Sequence, residues 1–255
     1  MPFIENRLFG LDVARGLISG ITSVNKFGSA PDGVQTTLTD IWSRANATPT
    51  QPIWLAPTAA RIHALVSSSA LDTGFNVTVY GLKTWDSAET NEVIAMNGAT
   101  PVNTVNSYVI IHRMIMTPTA AKVTNAGIIS ATAAVDSTIT AVIDTGDAQT
   151  EMAIYGVPST KTAYLMRWNA QVDRASTQAV TADIRFLLNP NPNIQTTGFI
   201  RKDDITLQST GQNAHERVYT IPPKYAGPCI IKIAGIGSAN DIDAESGFDL
   251  ILIDN

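Results

Sequence analysis

The strongest constraint on the fold is a repeated alternation of apolar and polar side chains, interrupted at short intervals by turn residues. The clearest case is Phe75–Tyr80, in which phenylalanine and valine alternate with asparagine and threonine. In Val180–Phe186 the polar residues all fall on one face. Successive side chains of a strand point to opposite faces, so this period of two is typical of half-buried β-strands. The sequence therefore predicts an antiparallel β-protein.

Turn residues divide the chain into a series of short predicted strands. The predicted strands are 75–80, 107–116, 123–134, 138–143, 149–156, 161–173, 178–188, 196–208, 215–221, 228–235 and 246–253. No long amphipathic helix is predicted after residue 40, which argues against a parallel sheet with crossover helices. The eight strands of the second half fit a jelly roll. The predicted fold class is all-β, with two antiparallel β-sandwich or jelly-roll-like domains.

The first 40 residues differ in pattern from the rest of the chain. Apolar residues recur at helical spacing, but Gly10, Gly16 and Gly20 each cost about 1 kcal/mol relative to alanine inside a helix. Residues 26–33 carry the glycine, proline and aspartate of a loop. We predict an arm that docks on its own domain or on a neighbour. The predicted division is an arm (1–40), a first β-domain (41–135) and a second, jelly-roll-like β-domain (136–255).

Composition favours protein partners over nucleic acid or membrane. Charged residues make up only 15% of the chain, against roughly 25% in ordinary soluble domains. The net charge is −5, and the densest basic pair, Arg201-Lys202, is followed at once by Asp203-Asp204. Nucleic-acid binders need a basic stripe, and a membrane span needs about 20 apolar residues. The N-terminus has no signal-peptide pattern, so we expect synthesis in a cytoplasm.

No residue pattern for catalysis or for a cofactor is present. Cys229 is the only cysteine, and His63, His112 and His215 have no partner at metal-ligand spacing. The serine-nucleophile and phosphate-loop motifs are missing as well. Paired carboxylates for glycoside cleavage stay open, since their separation is a three-dimensional property. The expectation is a protein that is not an enzyme and that binds neither metal nor cofactor.

Two minority hypotheses concern loops. Residues 240–245 could supply three carboxylates to calcium, although their spacing differs from that of the twelve-residue helical-hand loop. Trp85 follows a predicted turn and is expected to be exposed, where it could anchor a protein interface or stack on a sugar. Trp168 is predicted to lie in the core, and Trp42 and Trp54 are predicted to pack the arm down.

Four segments carry a family resemblance. They are Gln149–Leu165 (QTEMAIYGVPSTKTAYL), Gly247–Asn255 (GFDLILIDN), Val77–Leu82 (VTVYGL) and Asn97–Val102 (NGATPV). The chain resembles β-rich structural proteins of tailed bacteriophages that accompany the major capsid protein as decoration (cement) or other accessory virion components. The resemblance covers roughly residues 75–255 and is strongest at 149–165. It implies no catalytic residue, and it implies a homotrimer, because decoration proteins commonly occupy local three-fold positions.

The expected function is that of a head decoration or cement protein on the virion surface. Its expected partners are the major capsid protein and further copies of itself, and binding only the assembled shell would stabilise that shell. The expected contact residues are Phe3, Ile4, Leu8, Phe9 and Leu11 of the arm, together with Trp85. The alternatives are a tail, neck or fibre-base component, and a receptor- or glycan-binding module.

Overall fold

The fold is nearly all β, which confirms the predicted fold class. A computed structural model describes residues 9–46, 50–174, 179–193 and 198–255. Within those ranges lie a short helix α1 (Phe9–Ala14) and a 3₁₀ turn (Ser43–Ala45). The strands are β1 (Ile21–Val34), β2 (Thr39–Asp40), β3 (His63–Ser67), β4 (Thr73–Leu82), β5 (Thr90–Asn97), β6 (Val102–Asn103), β7 (Ile110–Thr117), β8 (Ile129–Ala133), β9 (Ile139–Ile143), β10 (Ile154–Val157), β11 (Lys161–Asp173), β12 (Thr181–Asn189), β13 (Ile200–Gln208), β14 (Ala214–Val218), β15 (Lys224–Ala226), β16 (Cys229–Gly237) and β17 (Ile242–Asp254).

Two of the sheets combine strands from both ends of the chain. The first has the order β1-β17-β11-β14, and β15 also pairs with β11. The second has the order β10-β16-β12-β13, and β2 also pairs with β16. Phe186 of the second sheet contacts Trp168, Tyr225 and Phe248 of the first, with ring centroids 5.7–5.9 Å apart. These aromatic contacts join the two sheets into a sandwich, called here the terminal sandwich.

The remaining two sheets come from the segment between β2 and β10. Their orders are β6-β3-β8-β9 and β5-β4-β7, and every pairing in them is antiparallel. β7 contacts β9 and β3 contacts β5, which brings these two sheets together. The β3–β9 unit is therefore inserted into the terminal sandwich, whose strands come before and after it in the chain.

The predicted domain boundary at 135/136 does not separate two sheets. The boundary at 135/136 falls in the turn between β8 and β9, which pair along Ile129↔Ile143 to Thr132↔Ile139. One continuous hydrophobic core contains buried residues of all four sheets, among them Leu65, Val79, Ile184 and Leu250. Division into two independent domains at this boundary stays a prediction.

The prediction of a loop at residues 26–33 is wrong. These residues belong to β1, which pairs with β17 from Ile21↔Ile253 to Val34↔Ile242 and has an irregularity only between Ala30 and Val34. A Cβ on Gly28 would lie 2.4 Å from the Ala153 nitrogen and 2.5 Å from the Ile41 carbonyl oxygen. The glycine therefore permits close approach of neighbouring backbones and does not mark a turn. The second half of the predicted arm thus contains a 14-residue strand of the terminal sandwich.

Several residues predicted to be structural are buried. Trp168 is fully buried, which confirms it as a core residue, and Cys229 is buried as well. Trp42 and Trp54 are also buried, and Trp54 Nε1 donates a hydrogen bond of 2.8 Å to the Thr140 carbonyl. In the part of the chain that is described, no helix has the length and apolarity needed to cross a membrane.

Candidate functional site

The predicted arm contacts fall into two groups. Phe3, Ile4 and Leu8 lie outside the described residues. Phe9 and Leu11 belong to α1, and their exposed fractions are 50% and 52%. Val13 is the buried residue of this helix, and α1 packs on β1. We call residues 9–17 the α1 segment. It ends with Leu17, which is 58% exposed, so apolar surface remains open along its length.

Trp85 is half-buried instead of freely exposed. Its ring packs against β10, where a Cβ on Gly156 would lie 3.2 Å from the Trp85 ring. The Trp85 carbonyl accepts a hydrogen bond of 2.7 Å from the Ser159 nitrogen, and Asp86 accepts one of 2.7 Å from the Ser159 hydroxyl. The loop that carries Trp85 is therefore tied to the end of β10, and only part of the indole surface faces outward.

A polar cleft lies where β1 of the terminal sandwich meets β7 of the inserted unit and β10. Its volume is about 190 Å³. Side chains from four strands and the β4–β5 loop line it, and those that carry polar chemistry are Lys26, Tyr80, Glu89, His112, Arg113 and Tyr155. We call it the seam cleft. It is the place where buried titratable groups of both units meet.

A β-bulge in β7 supplies two of the lining residues. Tyr80 pairs with Arg113, while the next residue of β4, Gly81, pairs with Ile111. His112 is therefore an extra residue with no partner across the ladder. A bulge of this kind re-aims neighbouring side chains, which explains how two consecutive residues, His112 and Arg113, both line the cleft.

Glu89 connects the side chains at one end of the cleft. His112 Nε2 lies 2.7 Å from Glu89 Oε2, and the Tyr155 hydroxyl donates to the same oxygen at 3.3 Å. The rings of His112 and Tyr155 are 4.5 Å apart at their centroids. Burial alone would raise the pKa of Glu89, but the hydrogen bond from His112 and the neighbouring donors bring that pKa below its ordinary value. Glu89 is thus held as a carboxylate.

Lys26 places a basic amino group in the interior beside Glu89, His112 and Tyr155. The residue is only 3% exposed, and Nζ donates to the main-chain carbonyl of His112. No carboxylate of the described residues lies within ion-pair distance of its ammonium group. Burial, followed by the positive charge of Arg113, holds the pKa of Lys26 well below its usual range, and Glu89 opposes this only in part. The Arg113 guanidinium likewise donates to a main-chain carbonyl, that of Asn25.

One ring nitrogen of His112 faces a hydrogen-bond partner, and the other does not. The residue is buried, and its Nδ1 has no hydrogen-bond partner within the described ranges. Burial is the largest cause that lowers the pKa of His112, so its neutral form is favoured. With Nε2 facing the carboxylate of Glu89, the proton of the neutral ring sits on Nε2, and Nδ1 is left as an acceptor.

The seam cleft can bind and orient a polar group, and sequence reasoning did not find it. Lys26 lies in a segment predicted as loop, and His112 was predicted only as a structural residue of a strand. These two residues and Tyr155 are far apart in sequence, and an irregular register brings them together. The one available signal was the pair of basic residues, His112 and Arg113, inside an otherwise apolar predicted strand.

The acidic run at 240–245 was predicted as a loop, but its residues 242–245 begin β17, and its side chains bind their own chain. Asn240 Oδ1 accepts hydrogen bonds of 3.1 Å from the nitrogen and the hydroxyl of Thr36. Asp243 Oδ1 accepts one of 2.5 Å from the Asp32 nitrogen. Across the described ranges, no group of three or more histidine, cysteine, aspartate and glutamate side chains is placed to hold a metal ion. Asn240 therefore positions the turn that follows β1, and Asp243 of β17 holds the irregular end of β1.

Comparison with known proteins gives no family for this chain. No family model matches it, and no curated protein matches it significantly. A structure of the infectious bursal disease virus Gt strain is 13% identical, with coverage of 92% of this chain and 73% of that chain and a TM-score of 0.25. The VP2 subviral particle of the same virus is 10% identical, with coverage of 91% and 71% and a TM-score of 0.24. At such TM-scores the similarity to these viral particles carries no argument about this chain.

Proposed function

We propose that the chain is a structural component of a tailed-phage virion, a non-enzymatic decoration protein that binds the head shell. The observation that carries the proposal is the α1 segment. Phe9 and Leu11 of the short helix α1, and Leu17 just after it, keep half or more of their surface open, while Val13 of the same helix is buried. The resemblance at 149–165 supplies the class of assembly. The low share of charged residues, 15% of the chain, suits extended contact with protein.

The open apolar surface of the α1 segment suits a weak contact that is repeated many times. Full burial of a large apolar side chain stabilises by about 1.5–3 kcal/mol, so a half-exposed one retains about half of that for a partner. Phe9 and Leu11 together then contribute roughly 2 kcal/mol per copy. Linking copies in a trimer multiplies such contacts through avidity.

Two rigid loop tips offer a second contact for neighbouring copies. Val105 and Val135 are 86% and 84% exposed. Glu92 accepts hydrogen bonds from the nitrogens of Val105 and Asn106, and Asp136 pairs with Arg61 at 3.1 Å. Both valines therefore stand on loops whose backbone is fixed by a carboxylate. Pre-ordered apolar tips lose little conformational entropy on binding, which favours their use in an assembly.

The copy number per virion tests the class of component. Quantitative mass spectrometry of purified particles compares the chain with the major capsid protein. A ratio close to that of the capsid protein is expected for a decoration protein of the head lattice. A few copies per particle would move the protein to the tail, neck or fibre base, and absence from the particle would overturn the proposal.

A charge placed on the α1 segment tests the contact. The double variant Phe9→Asp/Leu11→Asp is expected to bind heads assembled without the protein at least tenfold more weakly, with an unchanged Tm. The matched control is Leu71→Asp, a substitution of an apolar residue that is 69% exposed in the β3–β4 turn. Sedimentation with heads measures binding. If both variants lost binding to heads equally, or if neither lost any, a specific role for α1 would be contradicted.

A further inference from the structure

We propose that the seam cleft is a binding site for an oxyanion that retains an O–H group, of which inorganic phosphate is the simplest. The proposal starts from the balance of charge. Lys26 and Arg113 bring two basic groups to the cleft, and Glu89 brings one carboxylate. That carboxylate is already hydrogen-bonded to His112 and Tyr155. When Lys26 is protonated, the partly buried cleft carries one more positive than negative charge, and a bound anion both uses that charge and favours the protonated form of Lys26.

The two cations keep donors that their described contacts do not use. An ammonium group has three N–H donors and a guanidinium group has five. Lys26 uses one donor on the carbonyl of His112, and Arg113 uses one on the carbonyl of Asn25. Both acceptors are neutral main-chain oxygens. Charge-assisted hydrogen bonds to an anion are stronger than such bonds, so the remaining donors suit phosphate oxygens.

His112 sets the requirement for an O–H group. Its buried Nδ1 is an acceptor with no donor among the described residues. Hydrogen phosphate carries an O–H at neutral pH and can donate to this nitrogen while its other oxygens accept from Lys26 and Arg113. Sulfate has the same size and shape but carries no proton at that pH. The cleft should therefore prefer phosphate to sulfate.

Size and repulsion set the expected strength of binding. A cleft of about 190 Å³ is several times the roughly 30 Å³ that one water molecule occupies, so a phosphate ion fits. Glu89 faces the same space and repels an anion. We therefore expect a dissociation constant of about 1 mM, which corresponds to roughly 4 kcal/mol of binding free energy.

The state of Lys26 gives binding a second signature. Burial and the charge of Arg113 lower the pKa of Lys26, and a bound anion would raise it again. Binding at a pH between the lowered pKa of the free protein and the raised pKa of the complex is therefore accompanied by proton uptake. Calorimetric titrations in two buffers with different heats of ionisation measure the number of protons taken up.

The experiment is a calorimetric titration of the whole protein with inorganic phosphate at constant ionic strength, with sulfate titrated in parallel. Saturable phosphate binding at least fivefold tighter than sulfate binding is expected. Arg113→Gln should weaken phosphate binding at least tenfold. The control is Arg201→Gln, which changes an arginine on β13 whose side chain is 54% exposed. His112→Phe should remove the preference for phosphate over sulfate.

Two results would overturn the site. One is equal binding of phosphate and sulfate, which would indicate a general salt effect. The other is unchanged phosphate binding in Arg113→Gln, measured on a variant whose circular dichroism and Tm match those of the wild type. Because Arg113 is half-buried, this variant is expected to fold even where a change at Lys26 would not. Phosphate binding requires no shell, so its failure leaves the proposed decoration role standing.

Discussion

His63 at the start of β3 shows how burial of a single ring makes stability depend on pH. Its Nδ1 lies 2.9 Å from the Arg61 carbonyl, and its main-chain nitrogen donates to Thr104 Oγ1 at 3.0 Å. Its Nε2 is buried with no partner among the described residues. Burial is the largest cause, and it lowers the pKa of His63 from 6.5 to about 4. The ring is therefore neutral in the folded protein at pH 7.

We predict that His63 contributes an acid-sensitive part of the stability. Its folded pKa lies below its unfolded one, so the unfolded state binds the proton more readily. Stability is then complete above pH 6.5 and falls as the pH decreases towards about 4. The gap between these two values corresponds to a total loss of about 3 kcal/mol. His63→Asn keeps a donor for Arg61 and removes the titration, so it should flatten this decline.

Urea unfolding between pH 7 and pH 4 measures the difference. The quantity compared is the slope of the free energy of unfolding against pH. A lower stability of His63→Asn at pH 7 therefore does not affect the comparison. His215→Asn, on the exposed strand β14, is the control and should leave the slope unchanged. If His63→Asn lost stability on acidification as steeply as the wild type, the buried neutral ring would not be the cause.

At the scale of elements, sequence patterns predicted strands well where pairing is regular. β11 spans residues 161–173, as the alternation predicts, and β9 and β16 differ from their predicted bounds by one or two residues. β1 was missed because its glycines and Pro31 are typical of loops. The reason for Gly28 lies in the backbones that approach it from two other segments, which no local pattern can reveal.

The seam cleft was hidden from the sequence for a related reason. The strand that contains His112 was predicted as 107–116, and the structure has it at Ile110–Thr117. Period two places His112 and Arg113 on opposite faces, but the bulge brings both to one cleft. Register irregularities depend on the partner strand, so a single sequence carries no direct signal of them.

β2 is a two-residue strand that is held by a buried ion pair. Lys232 Nζ lies 2.7 Å from Asp40 Oδ2, with side-chain exposures of 4% and 0%. The same oxygen accepts from the Trp54 nitrogen at 2.8 Å, and the ammonium lies 4.1 Å from the centre of the Phe199 ring. Burial raises the pKa of Asp40, and the charge of Lys232 opposes this effect. The pair fixes β2 and the following loop to β16.

Removal of one partner of this pair should destabilise the protein strongly. Lys232→Met leaves the Asp40 carboxyl buried without its cation, which typically costs about 3–5 kcal/mol. The double variant Asp40→Asn/Lys232→Met removes both charges and keeps an oxygen for Trp54, so it should cost less than the sum of the single variants. A double-mutant cycle by urea unfolding at pH 7 measures the coupling.

The exposed ion pair of Arg167 with Glu216, whose side chains are 50% and 48% exposed, is the control for this cycle. Its coupling should be below about 1 kcal/mol, since such pairs are screened by solvent. A coupling for Asp40 and Lys232 no larger than that of the control would contradict the assignment of β2 as a strand anchored by charge.

For the whole molecule, the path of the chain decides which parts can fold alone. β17, near the C-terminus, lies between β11 and β1, and β1 comes from the first 34 residues. β2 pairs with β16 in the other sheet of the terminal sandwich. The inserted β3–β9 unit has no strand in either of these sheets. A cut at 135/136 therefore removes strands from the terminal sandwich and also separates β8 from β9.

We predict that a fragment of residues 136–255 does not fold by itself. Without β1 and β2, one edge of β17 and part of β16 lose their partners, and the buried residues Ala30, Val34, Ile41 and Trp42 are missing from the core. An open, apolar strand edge favours aggregation. The fragment should show no cooperative unfolding transition, and a peptide of residues 15–46 added in trans should restore one in part. A scrambled peptide of the same composition is the control. A cooperative transition of the fragment alone would mean that residues 136–255 form an independent domain and that β1 is a dispensable arm.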